Sequence, residues 1–200
     1  MDLAVLAIAF GAIFVVELPD KTFIAALVLS TRYRPFAVWV GVGLAFLIQT
    51  LIAVTVGQAV TFLPHELVQA VAAAIFAIGA VLLVREAPRA DADEAETEEE
   101  YAEKAKTVRT GWQAVLASFL VLFAAEWGDL SQLLTISLVG RFHEPVSVFV
   151  GAWAALLTVS GLAVVAGRVL LRYIKLSTIH YVGAAVCVVL AVVTVAELVR

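Results

Sequence analysis

Cysteine and charge are both scarce in this sequence. The single cysteine, Cys187, is one residue in 200. One cysteine excludes an intrachain disulfide and a thiolate-rich metal site. Only 15% of the residues are charged, and nine of the seventeen acids lie between Glu86 and Glu103. The net charge of -4 therefore describes one short segment rather than the whole molecule.

A cleavable targeting segment is not expected at the N-terminus. The chain begins Met1-Asp2 without a basic stretch, and the apolar run that follows is longer than the hydrophobic part of a signal peptide. The whole chain is 63% hydrophobic with a mean hydropathy of +1.03. A soluble domain of this size has no interior large enough to bury so much apolar surface. The composition therefore predicts an all-α polytopic membrane protein.

Six apolar segments are long enough to cross a membrane as helices. They lie near residues 2–30, 36–60, 66–84, 112–139, 146–168 and 178–199. Between the third and the fourth, residues 85–111 form an acidic connection that is too polar to bury. We expect this connection to be a flexible or partly helical solvated tether.

Basic residues in the connections predict the orientation of the chain. Ten of them fall on one side of the six segments: Arg32, Arg34, five residues of the 85–111 connection, Arg168, Arg172 and Lys175. The opposite side holds only Arg141, which we expect at the membrane surface, and Arg200. Because basic loops stay inside, the acidic linker is predicted to be cytoplasmic and both termini outside. A bacterial plasma (inner) membrane is the expected location.

The chain contains two copies of one unit. Glu17 and Glu126, Asp20 and Asp129, and Thr22 and Ser131 are all separated by 109 residues, and after one inserted residue the match continues with pairs separated by 110. These later pairs are Pro35 with Pro145 and Gly41 with Gly151. We therefore divide the chain into repeat 1 (1–84), the acidic cytoplasmic linker (85–111) and repeat 2 (112–200).

Three spans in each repeat make the two repeats enter the membrane from opposite faces. The predicted fold is thus six transmembrane helices arranged as two inverted three-helix repeats. Inverted repeats of this kind are typical of secondary transporters, whose binding sites lie near the membrane midplane where the repeats meet.

Four acids inside apolar segments need a reason. A carboxylate near the bilayer centre costs about 2.5 to 3.5 kcal/mol on insertion scales, so Glu17, Asp20, Glu126 and Asp129 are expected to face one another or water. Within each repeat the two acids are three residues apart, which places them on one face of a helix. The pattern predicts that the two faces converge and bring four carboxylates to one point.

A helix breaker separates the two acids in each repeat. Pro19 lacks an N–H group, and Gly128 occupies the equivalent position in the second repeat. Both predict that the first and fourth spans are broken helices. Unwound backbone at membrane depth is tolerated where it lines a cavity, and its free carbonyl groups can bind cations.

The polar residues of both motifs offer oxygen ligands. The four carboxylates, the hydroxyls of Thr22 and Ser131 and the amide of Gln132 form a set that suits Ca²⁺, Mn²⁺ or Mg²⁺. Copper or zinc is not expected, because neither motif contains His or Cys. When the ion leaves, four adjacent carboxylates repel one another, so protons are expected to take its place. Competition of this kind produces cation/proton exchange.

These two motifs resemble the signature of the GDT family of transmembrane cation/proton exchangers. The family carries two copies of Glu-x-Gly-Asp-Lys/Arg-Ser/Thr, which stand here as Glu17-Leu18-Pro19-Asp20-Lys21-Thr22 and Glu126-Trp127-Gly128-Asp129-Leu130-Ser131. The resemblance covers all six spans, and it implies that the four acids are the cation and proton site, supported by Thr22, Ser131 and Gln132. Pro19 and Leu130 depart from the family pattern, and neither departure touches the acids.

The sequence therefore predicts a secondary active antiporter that exports Mn²⁺ or Ca²⁺ from the cytoplasm in exchange for protons. The expected partners are the ion, protons and the lipid bilayer, with no prosthetic group, no nucleic acid and no enzyme activity. Two alternatives remain. An intramembrane aspartyl protease also needs two membrane-embedded aspartates, but it leaves Glu17 and Glu126 without a role. An exporter of a small cationic solute is the second alternative.

Overall fold

The computed structural model describes residues 1–18, 20–105, 110–173 and 175–198, except the side chains of 65, 91, 92, 94, 95, 167–173 and 176. These residues form helices and no strand, which confirms the predicted all-α class. The helices are α1 (Leu3–Glu17), α2 (Lys21–Arg32), α3 (Pro35–Val60), α4 (His65–Glu86), α5 (Ala90–Lys104), α6 (Trp112–Ala125), α7 (Leu130–Phe142), α8 (Pro145–Tyr173) and α9 (Leu176–Leu198).

Several helices are long and apolar enough to span a membrane. Among the described residues four meet this condition alone, within α3, α4, α8 and α9. The pairs α1–α2 and α6–α7 each meet it together, which gives six candidate spans if each pair is one broken span. Many large apolar side chains are exposed along these helices, as expected of surfaces that face lipid.

The helices break where the sequence predicts. Helices α1 and α2 meet at an angle of 70°, and α6 and α7 meet at 72°. The first break lies between Glu17 and Lys21, and the second between Ala125 and Leu130. Gly128 in the second break has a φ of 82°, a backbone conformation that favours glycine. Pro19, the predicted breaker of the first repeat, lies outside the described residues.

Equivalent helices make equivalent contacts. Helix α1 packs against α8, and α6 packs against α3. The backbones approach closely at two glycines: a Cβ atom on Gly41 would clash with the carbonyl oxygen of Val115, and one on Gly151 would clash with that of Leu6. Both members of each pair are related by the sequence repeat, since Leu6 and Val115 are 109 residues apart. Small residues at both crossings allow the same close packing twice.

The acidic linker is partly helical, as one form of the prediction has it, but it packs against other helices instead of being a solvated tether. Residues Ala90–Lys104 form a regular helix, α5, that packs against α2 and α9. Ala90, Tyr101 and Ala105 are buried along one side, whereas Glu98, Glu99 and Glu100 are exposed on the other. The sequence analysis did not recognise this buried side, because it is a narrow stripe of small and aromatic residues at helical spacing in an otherwise polar segment.

Arg141 at the end of α7 pairs with residues of another helix. Its side chain is buried and donates hydrogen bonds to Thr194 Oγ1 at 2.7 Å and to both carboxylate oxygens of Glu197 at 3.1 Å. The position at the membrane surface stays a prediction, and within the bundle the carboxylate of Glu197 on α9 compensates the charge of the buried guanidinium. Of the basic residues that entered the predicted orientation, Lys106, Arg109 and Arg200 lie outside the described residues, and the side chains of Arg168 and Arg172 are not described.

Candidate functional site

The two helix breaks bring four acids together. Glu17 is the last residue of α1 and Asp20 is the N-cap residue of α2, while Glu126 follows the last residue of α6 and Asp129 is the N-cap residue of α7. One carboxylate oxygen of each lies within 4.8 Å of the corresponding oxygens of the other three. We call these four residues the acid cluster.

The acid cluster lies inside the helix bundle. Glu17 is fully buried and Glu126 is 3% exposed, whereas Asp20 and Asp129 are half-buried. The Oε2 atom of Glu17 is buried and has no hydrogen-bond partner among the described residues. A buried carboxylate oxygen without a donor is costly, so this atom needs a cation or a proton beside it.

Thr22 contacts the acids of its own repeat, as the sequence predicts. Its hydroxyl donates to Glu17 Oε1 at 2.7 Å, and the hydroxyl oxygen of Thr22 also lies 3.4 Å from Asp20 Oδ2. The hydroxyl thus links the acid before the break to the acid after it. Lys21, by contrast, is exposed at the surface of the cavity described below.

The second repeat orders its polar residues in another way. Asp129 Oδ2 accepts a hydrogen bond from the backbone N–H of Ser131 at 3.2 Å, which caps the first turn of α7. Gln132 does not point its amide oxygen at the acids: Oε1 accepts from the backbone N–H of Gly128 at 3.0 Å. Ser131 is buried, and together with Glu126 it lines a small void that is described below.

Gln49 on α3 is a buried polar neighbour of the acid cluster that the sequence analysis did not identify. It is 5% exposed, and its side-chain amide donates to the carbonyl oxygen of Phe123 at 2.8 Å. Position 159, which is equivalent in the second repeat, holds valine. The repeat could not reveal Gln49, because the residue has no polar counterpart.

A cavity of about 520 Å³ leads from the acid cluster towards α5. Asp20, Glu126 and Asp129 line its inner end. Glu86, Glu100 and His180 line it nearer the linker. A second void of about 10 Å³ is lined by residues that include Gln49, Glu126 and Ser131. A void of that size holds about one water molecule, so the larger cavity is the wider approach to the cluster.

Two residues of α5 stand at the outer part of this cavity. Tyr101 is buried, and burial together with the negative charges of Asp20, Glu100 and Glu126 raises the pKa of its hydroxyl to about 12. Its phenol therefore stays neutral at physiological pH and remains a hydrogen-bond donor. Lys104 lies over the Tyr101 ring at 4.8 Å and pairs with Glu100 at 2.6 Å, which lowers the pKa of that exposed carboxyl.

The donor chemistry of the cluster suits a hard cation. Carboxylate and hydroxyl oxygens are the ligands of Ca²⁺, Mn²⁺ and Mg²⁺, and a group of buried acids also takes up protons when no metal is present. Buried acids at the breaks of apolar helices are typical of transporters. Fold and site together therefore define a polytopic helical membrane protein of the transporter class.

Comparison with known proteins gives the particular family. The family profile described as divalent cation/proton antiporter GDT1 matches residues 5–91 and 114–200. The chain therefore belongs to the GDT1 family, whose members are transporters rather than enzymes, and the protease alternative is not supported.

Individual relatives agree with the family match. The chain is 35% identical over 190 residues to the GDT1-like protein sll0615 of Synechocystis sp., a match that covers 91% of this chain and 92% of the relative. It is 33% identical over 211 residues to the chloroplastic protein PAM71 of Arabidopsis thaliana and 32% identical over 207 residues to its chloroplastic homolog. These two matches cover 96% and 93% of this chain but only 57% of each relative. No solved structure matches the chain.

Proposed function

We propose that this protein is a secondary active antiporter that exchanges Mn²⁺ or Ca²⁺ for protons at the acid cluster. The observation that supports this most strongly is the mutual distance of at most 4.8 Å among one oxygen of each acid. Two ligands on opposite sides of a Ca²⁺ ion, each about 2.3 to 2.6 Å from it, are about 4.6 to 5.2 Å apart. Four oxygens within that spread fit one coordination shell.

Charge balance explains why protons are the counter-substrate. Four ionised carboxylates carry two more negative charges than one divalent ion neutralises, and in a buried site their repulsion is screened little. Without the ion, the site is stable only if protons occupy some of the carboxylates. An ion and protons that exclude one another from one site produce coupled exchange.

We further propose six spans in two inverted repeats, with the linker in the cytoplasm and both termini outside. Contacts at each end of the bundle support it. Arg32 and Glu98 of α5 line one shallow pocket, which puts the first connection beside the linker. At the other end, the backbone N–H of Asp2 donates to Ser147 at 2.8 Å, which puts the N-terminus beside the connection that precedes α8.

This arrangement makes export the favoured direction. In the described conformation the cavity reaches the acid cluster from the linker side, so a cytoplasmic ion has access to the site. A return conformation would close this cavity and open the acid cluster to the other side of the membrane, by rocking of one repeat against the other around the site. A proton gradient directed into the cell would then drive ions out.

Ion flux into proteoliposomes tests the proposal. Wild-type protein under an imposed proton gradient should move Mn²⁺ or Ca²⁺, whereas Glu17→Gln and Asp129→Asn should abolish flux because each removes a charged ligand. Glu66→Gln is the matched control, since Glu66 is exposed in the first turn of α4 and lines no described cavity at the site. Undiminished flux in both site variants would refute the assignment. Transport of lysine in place of the metals would favour the cationic-solute alternative.

A further inference from the structure

The two helix breaks satisfy the same backbone carbonyl in different ways. In the first repeat, Phe14 O accepts the hydrogen bond of Leu18 N at 3.1 Å, so α1 continues to Glu17. In the second repeat, the equivalent oxygen belongs to Phe123. It accepts from Gln49 Nε2 at 2.8 Å, and α6 ends one equivalent position earlier, at Ala125.

A pair of glutamines connects the two sides of the second break. Gln49 Oε1 faces Gln132 Nε2 at 3.4 Å, and Gln132 Oε1 accepts from Gly128 N at 3.0 Å. The backbone groups that the two side chains meet determine the orientation of both amides. The carbonyl oxygen of Phe123 requires the NH₂ group of Gln49, and the backbone N–H of Gly128 requires the amide oxygen of Gln132. The pair thus satisfies two backbone groups that the break leaves without helical partners.

The first repeat has nothing equivalent to this pair. Val159 takes the place of Gln49 and Phe23 takes the place of Gln132, and both are buried apolar side chains. Among the described residues, the hydroxyl of Thr22 contacts Glu17 at the first break, whereas a side chain from a neighbouring helix contacts the backbone at the second break.

We propose that Gln49 is a positioning residue of the cation site. By occupying Phe123 O it prevents the last turn of α6 from extending as α1 does, and this places the carboxylate of Glu126 against the other three acids. The inference rests on the proposed exchange at the acid cluster. It adds that the two half-sites are unequal and that ion affinity depends on a residue of α3 outside both repeated motifs.

Gln49→Met tests the inference, because methionine has a similar length but no amide. Helix α6 is then free to extend by one residue and withdraw Glu126, so the KM for Mn²⁺ or Ca²⁺ should rise roughly tenfold with Vmax within about twofold of wild type. A merely structural role would lower the amount of active protein, hence Vmax, and leave KM unchanged. Gln58→Met is the matched control, since Gln58 is exposed on the same helix.

Two further variants keep the test decisive. Gln49→Asn retains an amide but is too short to reach both partners, so an intermediate KM is expected even if Gln49→Met fails to fold. In a protein that already carries Gln132→Met, the Gln49→Met change should raise the KM little further, because both substitutions interrupt the same series of hydrogen bonds. A KM within twofold of wild type in both Gln49 variants would overturn the inference.

Failure of the proposed function gives a different result. Wild-type protein would then show no gradient-driven flux, whereas failure of this inference leaves the wild type active and the Glu17→Gln variant inactive. Equilibrium binding of Mn²⁺ to detergent-solubilised protein gives the same comparison without transport. A tenfold weaker Kd in Gln49→Met supports the inference, and an unchanged Kd contradicts it.

Discussion

Gly128 is the residue at which backbone geometry limits substitution most clearly. Its φ of 82° is strained for any residue with a Cβ atom, although open space surrounds the position. Gly128→Ala should therefore act through the backbone alone and cost about 1 to 2 kcal/mol, with a lower melting temperature and weaker ion binding. Differential scanning fluorimetry and Mn²⁺ titration measure both effects.

Gly11→Ala is the control for that prediction. A Cβ atom on Gly11 also meets open space, but Gly11 lies inside α1 with ordinary helical geometry. Alanine there should be neutral or stabilise the protein by up to about 1 kcal/mol. Equal effects of the two substitutions would show that the conformation of the break does not matter.

Arg141 provides a second prediction for a single residue. Arg141→Met removes hydrogen bonds to Thr194 and Glu197, and Glu197 is exposed enough to regain water. We expect a loss of about 1 to 3 kcal/mol in thermal unfolding. Arg32→Met, at the repeat-related and exposed position, should change stability by less than about 0.5 kcal/mol. A neutral Arg141→Met would contradict a stabilising contact between α7 and α9.

Those residues of the candidate site that occur in both copies of the repeated motif could be predicted from the sequence. Four acids in apolar spans carry a large desolvation cost, and the repeat places them in register, so their convergence followed from sequence. Gln49 and Tyr101 did not follow. Each is a single polar or aromatic residue without a polar partner at the repeat distance, and its role depends on which helix packs beside it.

Helix α5 shows how the docking of an element can escape prediction even where a partly helical segment is expected. Exposed acids dominate its composition, yet burial of Ala90, Tyr101 and Ala105 is enough to dock it against α2 and α9. When most residues of a helix are polar, a stripe of only three small or aromatic residues is hard to recognise in the sequence. The helices of the membrane region were predictable because their apolar runs leave no alternative fold.

Tyr101 should determine how firmly α5 stays docked at the outer part of the cavity. Tyr101→Ala removes the buried ring and should detach the helix locally, which raises the KM little but widens the opening of the cavity. In a Cys187→Ala background, a cysteine at Leu82, which lines the cavity, should react several-fold faster with a water-soluble thiol reagent when Tyr101→Ala is added. Tyr101→Phe, which keeps the ring, is the control. An unchanged rate in the alanine variant would show that Tyr101 does not hold α5 at the opening of the cavity.

For the whole molecule, equivalent contacts are repeated across the two halves. The stacked pair Phe10–Phe14 has ring centroids 5.7 Å apart, and the pair Phe119–Phe123, 109 residues later, has centroids 5.4 Å apart. Such agreement, with the paired glycine crossings, shows that residues related by the sequence repeat make similar contacts in both halves. Which side of the acid cluster the cavity opens to was not predictable, because the two repeats carry the same motif in the sequence.

Competition between protons and the ion at the acid cluster is a property of the whole molecule as well, because both repeats supply the acids. If protons and the ion exclude one another at the acid cluster, the affinity for Mn²⁺ should rise as pH increases, and binding should release protons into solution. Calorimetry of Mn²⁺ binding in buffers of different ionisation enthalpy counts those protons directly. A binding enthalpy that is independent of the buffer would mean that the ion and protons do not share the site.

Anomalous X-ray diffraction from crystals grown with Mn²⁺ tests the central claim most directly. The account predicts one strong peak within about 2.6 Å of carboxylate oxygens from both repeats, including Glu17 and Glu126, and loss of that peak in Glu17→Gln. A peak confined to the acids of α5, or no peak between the two helix breaks, would contradict it.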